Sequence, residues 1–282
     1  MPNPPRVTVV VPTRDRPDAL ARCLAVLDAQ GTDGFELIVV DDRSVAREAV
    51  RAVVARSPRA RVVDGEGRGP AAARNLGARH AGTDVVCFTD DDCAPGPEWV
   101  RALAAGIDAG SAVVAGPTRA GSRSSFVRAS QVVTNHLVEA SRAGDTVGFA
   151  PTSNVACRRA VLDAVPFDED FATAAGEDRA WCDALRAAGH HIDWSSAAWV
   201  LHTPDLDARR FWRQHARYGA GAYRYFRGVE EGPGVRERAR FTDDLVRRAF
   251  AEGFAVGASV LVAQVATGVG YAEEAIRARR AG

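Results

Sequence analysis

Short runs of apolar residues alternate with amphipathic segments along the first 120 residues of the chain. The apolar runs at 6–13, 35–40, 60–64, 84–88 and 112–116 predict five strands. The segments between them carry apolar residues at helical spacing and predict helices. Strands that are apolar throughout, rather than at alternate positions, are typical of a sheet covered on both faces. The pattern therefore predicts a doubly wound, mostly parallel α/β fold.

The composition narrows the class of protein. The chain has 282 residues, of which 46% are hydrophobic, so it can build the core of one large α/β unit. Its 36 basic residues balance 36 acidic ones, and no overall field draws it to nucleic acid. All 36 basic residues are arginines. The absence of lysine excludes a phosphate-binding P-loop and a pyridoxal Schiff base.

The cysteines and the N-terminus bear on the compartment. The five cysteines show no C-x-x-C spacing and mostly lie within apolar runs, which is typical of buried thiols in a reducing compartment. The opening segment "MPNPPRVTVVVPT" shows no secretory signal. We therefore expect a cytoplasmic protein, with peripheral contact at the cytoplasmic face of a membrane as the alternative.

Polar and acidic residues directly follow the first, second and fourth predicted strands. In a doubly wound sheet, ligands bind beyond the carboxyl ends of the strands. Carboxylates gathered at this edge would repel one another and raise one another's pKa unless a cation neutralised them. The residues concerned are Thr13, Arg14 and Asp15, then Asp41, Asp42, Arg43 and Ser44, and finally Asp90, Asp91 and Asp92.

The three consecutive aspartates predict a metal site. In an extended stretch Asp90 and Asp92 would share one face, and Asp91 would point to the other. Carboxylate ligands suit a hard cation such as Mn²⁺ or Mg²⁺, which usually binds phosphate oxygens as well. A solvated acidic turn is the alternative. The sequence therefore predicts a divalent cation and a phosphorylated ligand.

Several segments, taken in order over about residues 6–203, resemble glycosyltransferase family 2, the inverting nucleotide-sugar glycosyltransferases with the GT-A fold. The resemblance implies metal-dependent transfer of a sugar from a nucleoside-diphosphate sugar to an acceptor hydroxyl. No single segment is specific, but the ordered set is. The segments are "VTVVVPTRDRPDALARCLAVLDAQ", "FELIVVDDRS", "GPAAARNLGARHAGTDVVCFTDDD", "SNVACRRAVL" and "GEDRAWCDALRAAGHHIDW", together with the spacing from Asp90 to Pro97.

The resemblance implies a role for each residue at the strand ends. Asp41 and Asp42 would contact the base and ribose of the nucleotide. Arg74 would lie near the nucleotide or its phosphates, whose charge it could neutralise, with an arginine on the helix surface as the alternative. Asp90 would face the ribose and the metal, and Asp92 would hold the metal against the diphosphate. The other expected residues of the nucleotide-sugar pocket are Thr13, Arg14 and Asp91.

The acceptor side of the resemblance centres on the segment that begins "GED". Asp178 resembles the catalytic base of the family and would remove the proton of the acceptor hydroxyl. Since Glu177 and Asp178 open a predicted helix, complementarity to the helix dipole is the alternative. His202 follows the last strand and would be a further metal or diphosphate contact, with a purely structural histidine as the alternative.

The resemblance also divides the chain. It implies a catalytic domain at 1–203, with a nucleotide-sugar-binding half up to about residue 120 and an acceptor-binding half at 121–203. A helical C-terminal extension follows at 204–282. Its "QHARY" segment is similar to the Q-x-x-R-W element of processive members and predicts an amphipathic helix near the acceptor site. Residues 253–272 are uncharged and long enough to span a bilayer, although we favour a buried or oligomer-forming helix over peripheral membrane contact.

Two other functions fit parts of the sequence. An aspartate-based phosphotransferase also places D-x-D after a strand, but it requires Thr or Val where this chain has Ala94, and a lysine downstream. A catalytically inactive GT-A module that only binds nucleotide sugars would keep every donor-side motif. The sequence does not identify the sugar, the nucleotide base or the acceptor.

Overall fold

The computed structural model describes residues 6–32, 34–171, 175–227 and 234–281. The first five residues, which belong to the N-terminal segment quoted above, lie outside the described residues. Within them the strands are, in chain order, β1 Val7–Thr13, β2 Phe35–Asp41, β3 Ala60–Asp64, β4 Val85–Phe88, β5 Cys93–Pro95, β6 Val113–Ala115, β7 Thr118–Ala120, β8 Arg142–Ala143, β9 Thr146–Val147, β10 Val155–Arg158, β11 Ile192–Trp194 and β12 Val200–His202.

Helices account for most of the remaining described chain and for nearly all of its C-terminal part. They are α1 Pro17–Asp28, α2 Arg47–Val54, α3 Pro70–His80, α4 Trp99–Asp108, α5 Ser125–Ala140, α6 Arg159–Ala164, α7 Glu177–Ala187, α8 Ala208–Arg227, α9 Val235–Ala251 and α10 Phe254–Ala281.

The main sheet has the order β3-β2-β1-β4-β10-β6-β11-β9-β8. Strands β3, β2, β1 and β4 are parallel neighbours, which confirms the predicted fold class. Strand β10 was not predicted from the sequence; it runs antiparallel between β4 and β6. Two buried apolar layers cover the faces of this sheet, as expected from strands that are apolar throughout.

Strand register brings the polar strand ends together. Thr13 pairs with Asp41, and Asp41 pairs with Asp64, so these residues lie at one edge of the sheet. A second sheet, β5-β12-β7, crosses beside this edge. In it His202 pairs with Cys93, which places His202 next to the aspartates that follow β4.

A glycine in α3 sets how closely this helix approaches the sheet. A Cβ at Gly77 would lie 2.3 Å from Cγ1 of Val10 in β1, so no larger residue fits without a shift of the helix. Because α3 lies this close, Arg74, about one turn earlier on the same helix, reaches the carboxyl edge of β1 and β4.

The C-terminal helices pack onto α5 through a third apolar cluster that includes Ala129, Leu245 and Val260. The close crossing of α8 and α10 depends on Gly219 and Gly270, where an added Cβ would lie within 2 Å of a backbone oxygen of the other helix. Gly253 and Gly257, although spaced four residues apart, take no part in this crossing: a Cβ at Gly257 would meet the Phe250 side chain, and one at Gly253 would meet nothing within 4 Å.

Helix α10 is long and apolar enough to cross a membrane, judged by length and composition alone. Within its span Phe254–Arg280, the most apolar 18-residue window has a mean hydropathy of 1.5, and 39% of that window is buried. Val256, Val260 and Ala263 pack inward, whereas Phe254 and Val265 are exposed. A membrane or oligomer contact through residues 253–272 stays a prediction.

Candidate functional site

The loops after β1 and β2 are tied together by hydrogen bonds. The Asp15 N–H donates to Ser44 Oγ at 2.8 Å, and Asp15 Oδ1 accepts the Val45 N–H at 2.6 Å. Asp15 and Arg43 adopt left-handed backbone conformations, with φ of 55° and 61°. Residues other than glycine rarely adopt this conformation unless the surrounding structure holds them in it. Between these loops and solvent, the half-exposed Arg14 side chain lies 3.9 Å from the Asp42 carboxylate.

The two aspartates after β2 have different surroundings. Both Asp42 oxygens accept backbone N–H groups of the loop before α3, from Gly67 and Gly69, each at 2.9 Å. Asp41 is fully buried, and its Oδ1 accepts the Ser44 N–H at 2.9 Å. Its Oδ2 accepts no hydrogen bond among the described residues, and the Arg47 guanidinium lies 3.9 Å from it. Asp42 therefore orders a loop, and Asp41 retains an oxygen that accepts no hydrogen bond.

The chain turns at the three aspartates, so the extended geometry that we expected there is wrong. The Cys93 N–H donates to the Asp90 carbonyl at 3.0 Å and closes the turn. Asp91 is completely buried at its centre, whereas the side chains of Asp90 and Asp92 keep 27% and 11% of their surface exposed. The turn thus directs Asp91 into the protein and leaves Asp90 and Asp92 at the surface of the site.

Arg16, at the start of α1, is the main counter-charge of this turn. Its guanidinium lies 2.7 Å from Asp91 Oδ1 and 2.8 Å from Asp92 Oδ2. The Thr13 hydroxyl donates to the other oxygen of Asp91 at 2.6 Å. Burial raises the pKa of Asp91 to about 7, although both partners favour its ionised form. The Thr13 hydroxyl therefore donates its hydrogen bond to a buried carboxylate of the protein.

Asp92, Cys93 and His202 form a group whose ligand atoms all lie within 4.8 Å of one another. His202 Nε2 is 3.5 Å from Asp92 Oδ1. Burial alone would raise the pKa of Asp92, but His202 and Arg16 hold it below its usual range. The ionised Asp92 carboxylate and the neighbouring His202 imidazole form a pair of ligands that fits a divalent cation such as Mn²⁺.

Arg74 connects this group to the acceptor side. Its guanidinium is buried and lies 2.9 Å from Asp90 Oδ1, 3.3 Å from Glu177 Oε1 and 3.8 Å from Asp178 Oδ1. Burial alone would lower the pKa of Arg74, but the three carboxylates raise it. The guanidinium of Arg74 thus holds together one carboxylate from the turn after β4 and two from α7.

Asp178 is positioned by Thr152. The Thr152 hydroxyl donates to Asp178 Oδ1 at 2.7 Å, and the Thr152 N–H donates to Oδ2 at 3.3 Å. Burial raises the pKa of Asp178 above its usual range, although Arg74 and the Thr152 hydroxyl act in the opposite direction. Burial and the Asp178 charge likewise raise the pKa of Glu177. A carboxylate with a raised pKa is a better proton acceptor.

The Q-x-x-R-Y element lies on α8, and its residues face different surroundings. Gln214 is buried and donates to Ser130 Oγ at 3.1 Å, so it ties α8 to α5. Arg217 is exposed. Burial, with the negative charges of Asp178 and Asp92, raises the pKa of Tyr218. The charges of both sets of acidic residues therefore act on the Tyr218 hydroxyl.

The model of the family described as Glycosyl transferase family 2 matches residues 8–165, more than half of the chain. The chain belongs to glycosyltransferase family 2. The match favours this family over the aspartate-based phosphotransferase, and it confirms the resemblance that the ordered motifs indicated.

Two curated relatives of this family 2 chain are glycosyltransferases. A pre-mycofactocin glycosyltransferase from Mycobacterium tuberculosis is 29% identical over 229 residues, which cover 77% of this chain and 46% of the relative. A validoxylamine A glucosyltransferase from Streptomyces hygroscopicus subsp. jinggangensis is 37% identical over 107 residues, which cover 36% of this chain and 25% of the relative. The chain thus spans less than half the length of these relatives.

Solved structures of similar fold come from two further glycosyltransferases. The mannosyltransferase PcManGT from Pyrobaculum calidifontis, in complex with GDP-Man and Mn²⁺, has a TM-score of 0.62 and 21% identity over 94% of this chain and 74% of that one. TarS 1–349 from S. aureus has a TM-score of 0.56 and 18% identity over 98% of this chain and 92% of that one. The fold of the family 2 chain is therefore of the GT-A type.

Sequence reasoning assigned no role to three residues that this family 2 site contains. Arg16 compensates two aspartates, Thr152 orients Asp178, and Glu177 shares Arg74 with it. Arg16 and Glu177 both lie within the quoted segments, Arg16 directly before Pro17 and Glu177 directly before Asp178, so the sequence carried a signal for them. Thr152 carries no local signal, since its partner lies 26 residues away.

Proposed function

We propose that the chain is a metal-dependent, inverting glycosyltransferase that moves a sugar from a nucleoside-diphosphate sugar to an acceptor hydroxyl. The observation that carries the proposal is the buried Arg74, which lies within 4 Å of both Asp90 and Asp178. It places the carboxylates of a donor site and a candidate base side by side. Family membership and the GDP-Man complex of PcManGT support the same function.

The donor half is assigned to residues at the ends of β1, β2 and β4. The Asp41 oxygen that accepts no hydrogen bond is assigned to an N–H or O–H donor of the nucleotide, and Asp42 shapes the loop beside it. Arg14, half exposed at the rim, would contact the donor, and Arg74 would face its phosphates. Thr13 and Asp91 support this pocket from beneath, through their mutual hydrogen bond.

The residues proposed to hold the metal are Asp92 and His202, with Asp90 as a third ligand. Mn²⁺ and Mg²⁺ both suit oxygen ligands, and the imidazole of His202 favours Mn²⁺. When bound, the cation supplies positive charge that stabilises the leaving diphosphate. Arg16 neutralises Asp91 and Asp92 from the opposite side, so the cluster carries little excess charge without the cation.

Asp178 is proposed as the general base. Its carboxylate accepts the proton of the acceptor hydroxyl, which makes the oxygen a better nucleophile. That oxygen attacks the anomeric carbon as the bond to the diphosphate breaks on the opposite face, so the configuration inverts. The Thr152 hydroxyl holds the base in place, and Arg74 stabilises its ionised form. The division into a catalytic domain at 1–203 and an extension at 204–282 belongs to the same proposal.

Removal of the metal is expected to abolish turnover. UDP-glucose, UDP-GlcNAc, GDP-mannose and dTDP-glucose are incubated with the protein, and release of the nucleoside diphosphate by slow hydrolysis is measured. We expect release from one donor with Mn²⁺ or Mg²⁺ and its loss, by about 100-fold or more, with excess EDTA, because the charge on the leaving group is no longer neutralised. Equal release with EDTA would contradict the metal-dependent mechanism.

The rate is expected to rise with pH through the pKa of Asp178. Because the base works only when it is ionised, the rate falls as the pH drops below the pKa of Asp178. Burial raises that pKa, so this fall, the acid limb of the pH profile, lies above the ordinary aspartate value of about 3.9. Thr152→Val removes a hydrogen bond that favours the ionised form, so the limb should move up by about 1 pH unit. The measurement is donor turnover against pH for both proteins. An unchanged limb in Thr152→Val would argue against Asp178 as the base.

A further inference from the structure

A cavity of about 450 Å³ lies beside the first turns of α7, away from the strand ends that hold the donor residues. It is bounded by the C-terminal half of α5, the segment after β9 and the facing sides of α7, α8 and α9. Its walls are partly aromatic, with Phe149, Tyr225 and Phe241 among them. This volume is in the range of sites for small organic molecules.

Arg179 supplies the positive charge of the cavity. Its guanidinium lies over two aromatic rings, 5.8 Å from the centre of Phe149 and 5.2 Å from the centre of Tyr225. Among the described residues, no carboxylate lies within ion-pair distance of it, unlike the guanidinium of Arg186 nearby. Stacking of this kind leaves the N–H groups at the guanidinium edge free to donate.

Among the described residues that line the cavity, the one acidic residue is already paired. Asp183 lies 2.5 Å from Arg186 and also accepts a hydrogen bond from the Tyr225 hydroxyl. Its charge is therefore compensated within the wall. Of the described lining residues, Arg179, between two rings, is left as the cation without a carboxylate partner.

Asp178 does not line the cavity but lies on the neighbouring face of the same helical turn. Arg179 directly follows Asp178 on α7, so the two side chains leave the helix about 100° apart, and both are partly exposed. Phe149 lies three residues before Thr152, which holds the Asp178 carboxylate. A molecule with one end beside Asp178 can therefore place its other end against Arg179.

We propose that this cavity is an acceptor subsite, which binds an anionic group, carboxylate or phosphate, carried by the acceptor next to an aromatic or other planar part. The subsite rests on the proposed function, since it takes Asp178 as the base. Arg179 donates to the anion, and the rings of Phe149 and Tyr225 pack against the planar part. The acceptor hydroxyl then lies at Asp178, the residue that directly precedes Arg179 on α7.

Binding of simple anions tests the subsite without knowledge of the acceptor. The probes are 4-fluorobenzoate and 4-fluorophenyl phosphate, with neutral 4-fluorobenzamide for comparison, each followed by fluorine NMR. We expect the protein to bind at least one anion more tightly than the amide. Arg179→Met should weaken that anion by about tenfold or more and leave the amide unchanged. The two anions distinguish a carboxylate subsite from a phosphate subsite.

Two further variants control for charge and folding. Arg59→Met removes an arginine that also stacks on a ring, that of Phe35 at 4.8 Å, but at the opposite edge of the sheet, and it should bind like the wild type. Arg179→Lys keeps the charge and should retain part of the preference for the anion. It also provides the test if Arg179→Met does not reach the melting temperature of the wild type.

The subsite proposal is overturned if neither anion binds better than the amide, or if anion binding survives Arg179→Met. Binding of nucleoside diphosphates with Mn²⁺ separates this failure from failure of the proposed function. If nucleotides bind but the anions do not, the proposed function stands and the subsite is wrong. If the anions depend on Arg179 but no nucleotide binds, the cavity is an anion site unrelated to glycosyl transfer.

Discussion

Replacement of Asp178 by asparagine is expected to lower kcat by about 10²- to 10⁴-fold and to leave the affinity for the donor nucleotide unchanged. The amide has nearly the same shape but cannot accept the proton of the acceptor hydroxyl. Thr152 and Arg74 contact Asp178, and Arg74 keeps its closer contact with Asp90 when residue 178 is uncharged. The measurement is turnover of the donor that supports activity, beside calorimetric titration of its nucleoside diphosphate.

Asp163→Asn is the matched control for this prediction. Asp163 is an exposed aspartate of α6, so loss of its charge should change neither kcat nor nucleotide affinity. A kcat of Asp178→Asn within a few-fold of the wild type would remove Asp178 as the base. A parallel loss of nucleotide affinity would instead show that the substitution disturbs the donor site.

Arg74→Met is expected to lower the free energy of unfolding by about 3–5 kcal/mol. The substitution leaves Asp90, Glu177 and Asp178 close together in a buried site with no cation between them. Because these carboxylates can take up protons at low pH, the loss should be smaller at pH 5 than at pH 8. Urea unfolding at the two pH values measures both effects.

Two further variants separate lost charge compensation from lost packing. In the Arg74→Met background, Glu177→Gln removes one of the uncompensated charges and should recover part of the stability. Arg79→Met, on the exposed side of the same helix, should cost about 1 kcal/mol or less, because its pairing with Glu169 is long and solvated. A loss in Arg74→Met that is small and independent of pH would mean that this arginine does not hold the carboxylates together.

The core strands and the gathering of polar residues at one sheet edge are predictable from the sequence. Both follow from local pattern: apolar runs specify buried parallel strands, and register then aligns Thr13 with Asp41. His202 was a plausible ligand because it was expected just after a strand; it is the last residue of β12, and its pairing with Cys93 places it at Asp92. The extended geometry of Asp90 and Asp92 failed because a backbone hydrogen bond closes a turn there.

The contacts that organise the carboxylates could not be predicted in this way. Arg16 reaches Asp92 across 76 positions, and Arg74 reaches Glu177 across 103. Such pairs depend on how helices lie on the sheet, which for α3 is set by the close approach of Gly77 to Val10. Local periodicity carries no information about that distance, so the sequence indicated the acidic residues and Arg74 but not Arg16, nor the pairing of either arginine with these carboxylates.

The central claim, a divalent cation and a nucleoside diphosphate bound at Asp92, is tested most directly by calorimetry. UDP, GDP, dTDP and CDP are titrated with and without Mn²⁺ into the wild type, Asp92→Asn and, as the control, Asp84→Asn, an exposed aspartate just before β4. The account predicts that one nucleotide binds only with Mn²⁺, that Asp92→Asn loses this binding and that Asp84→Asn keeps it. Binding that is independent of Mn²⁺ and unchanged in Asp92→Asn, or no binding by any of the four nucleotides, would contradict it.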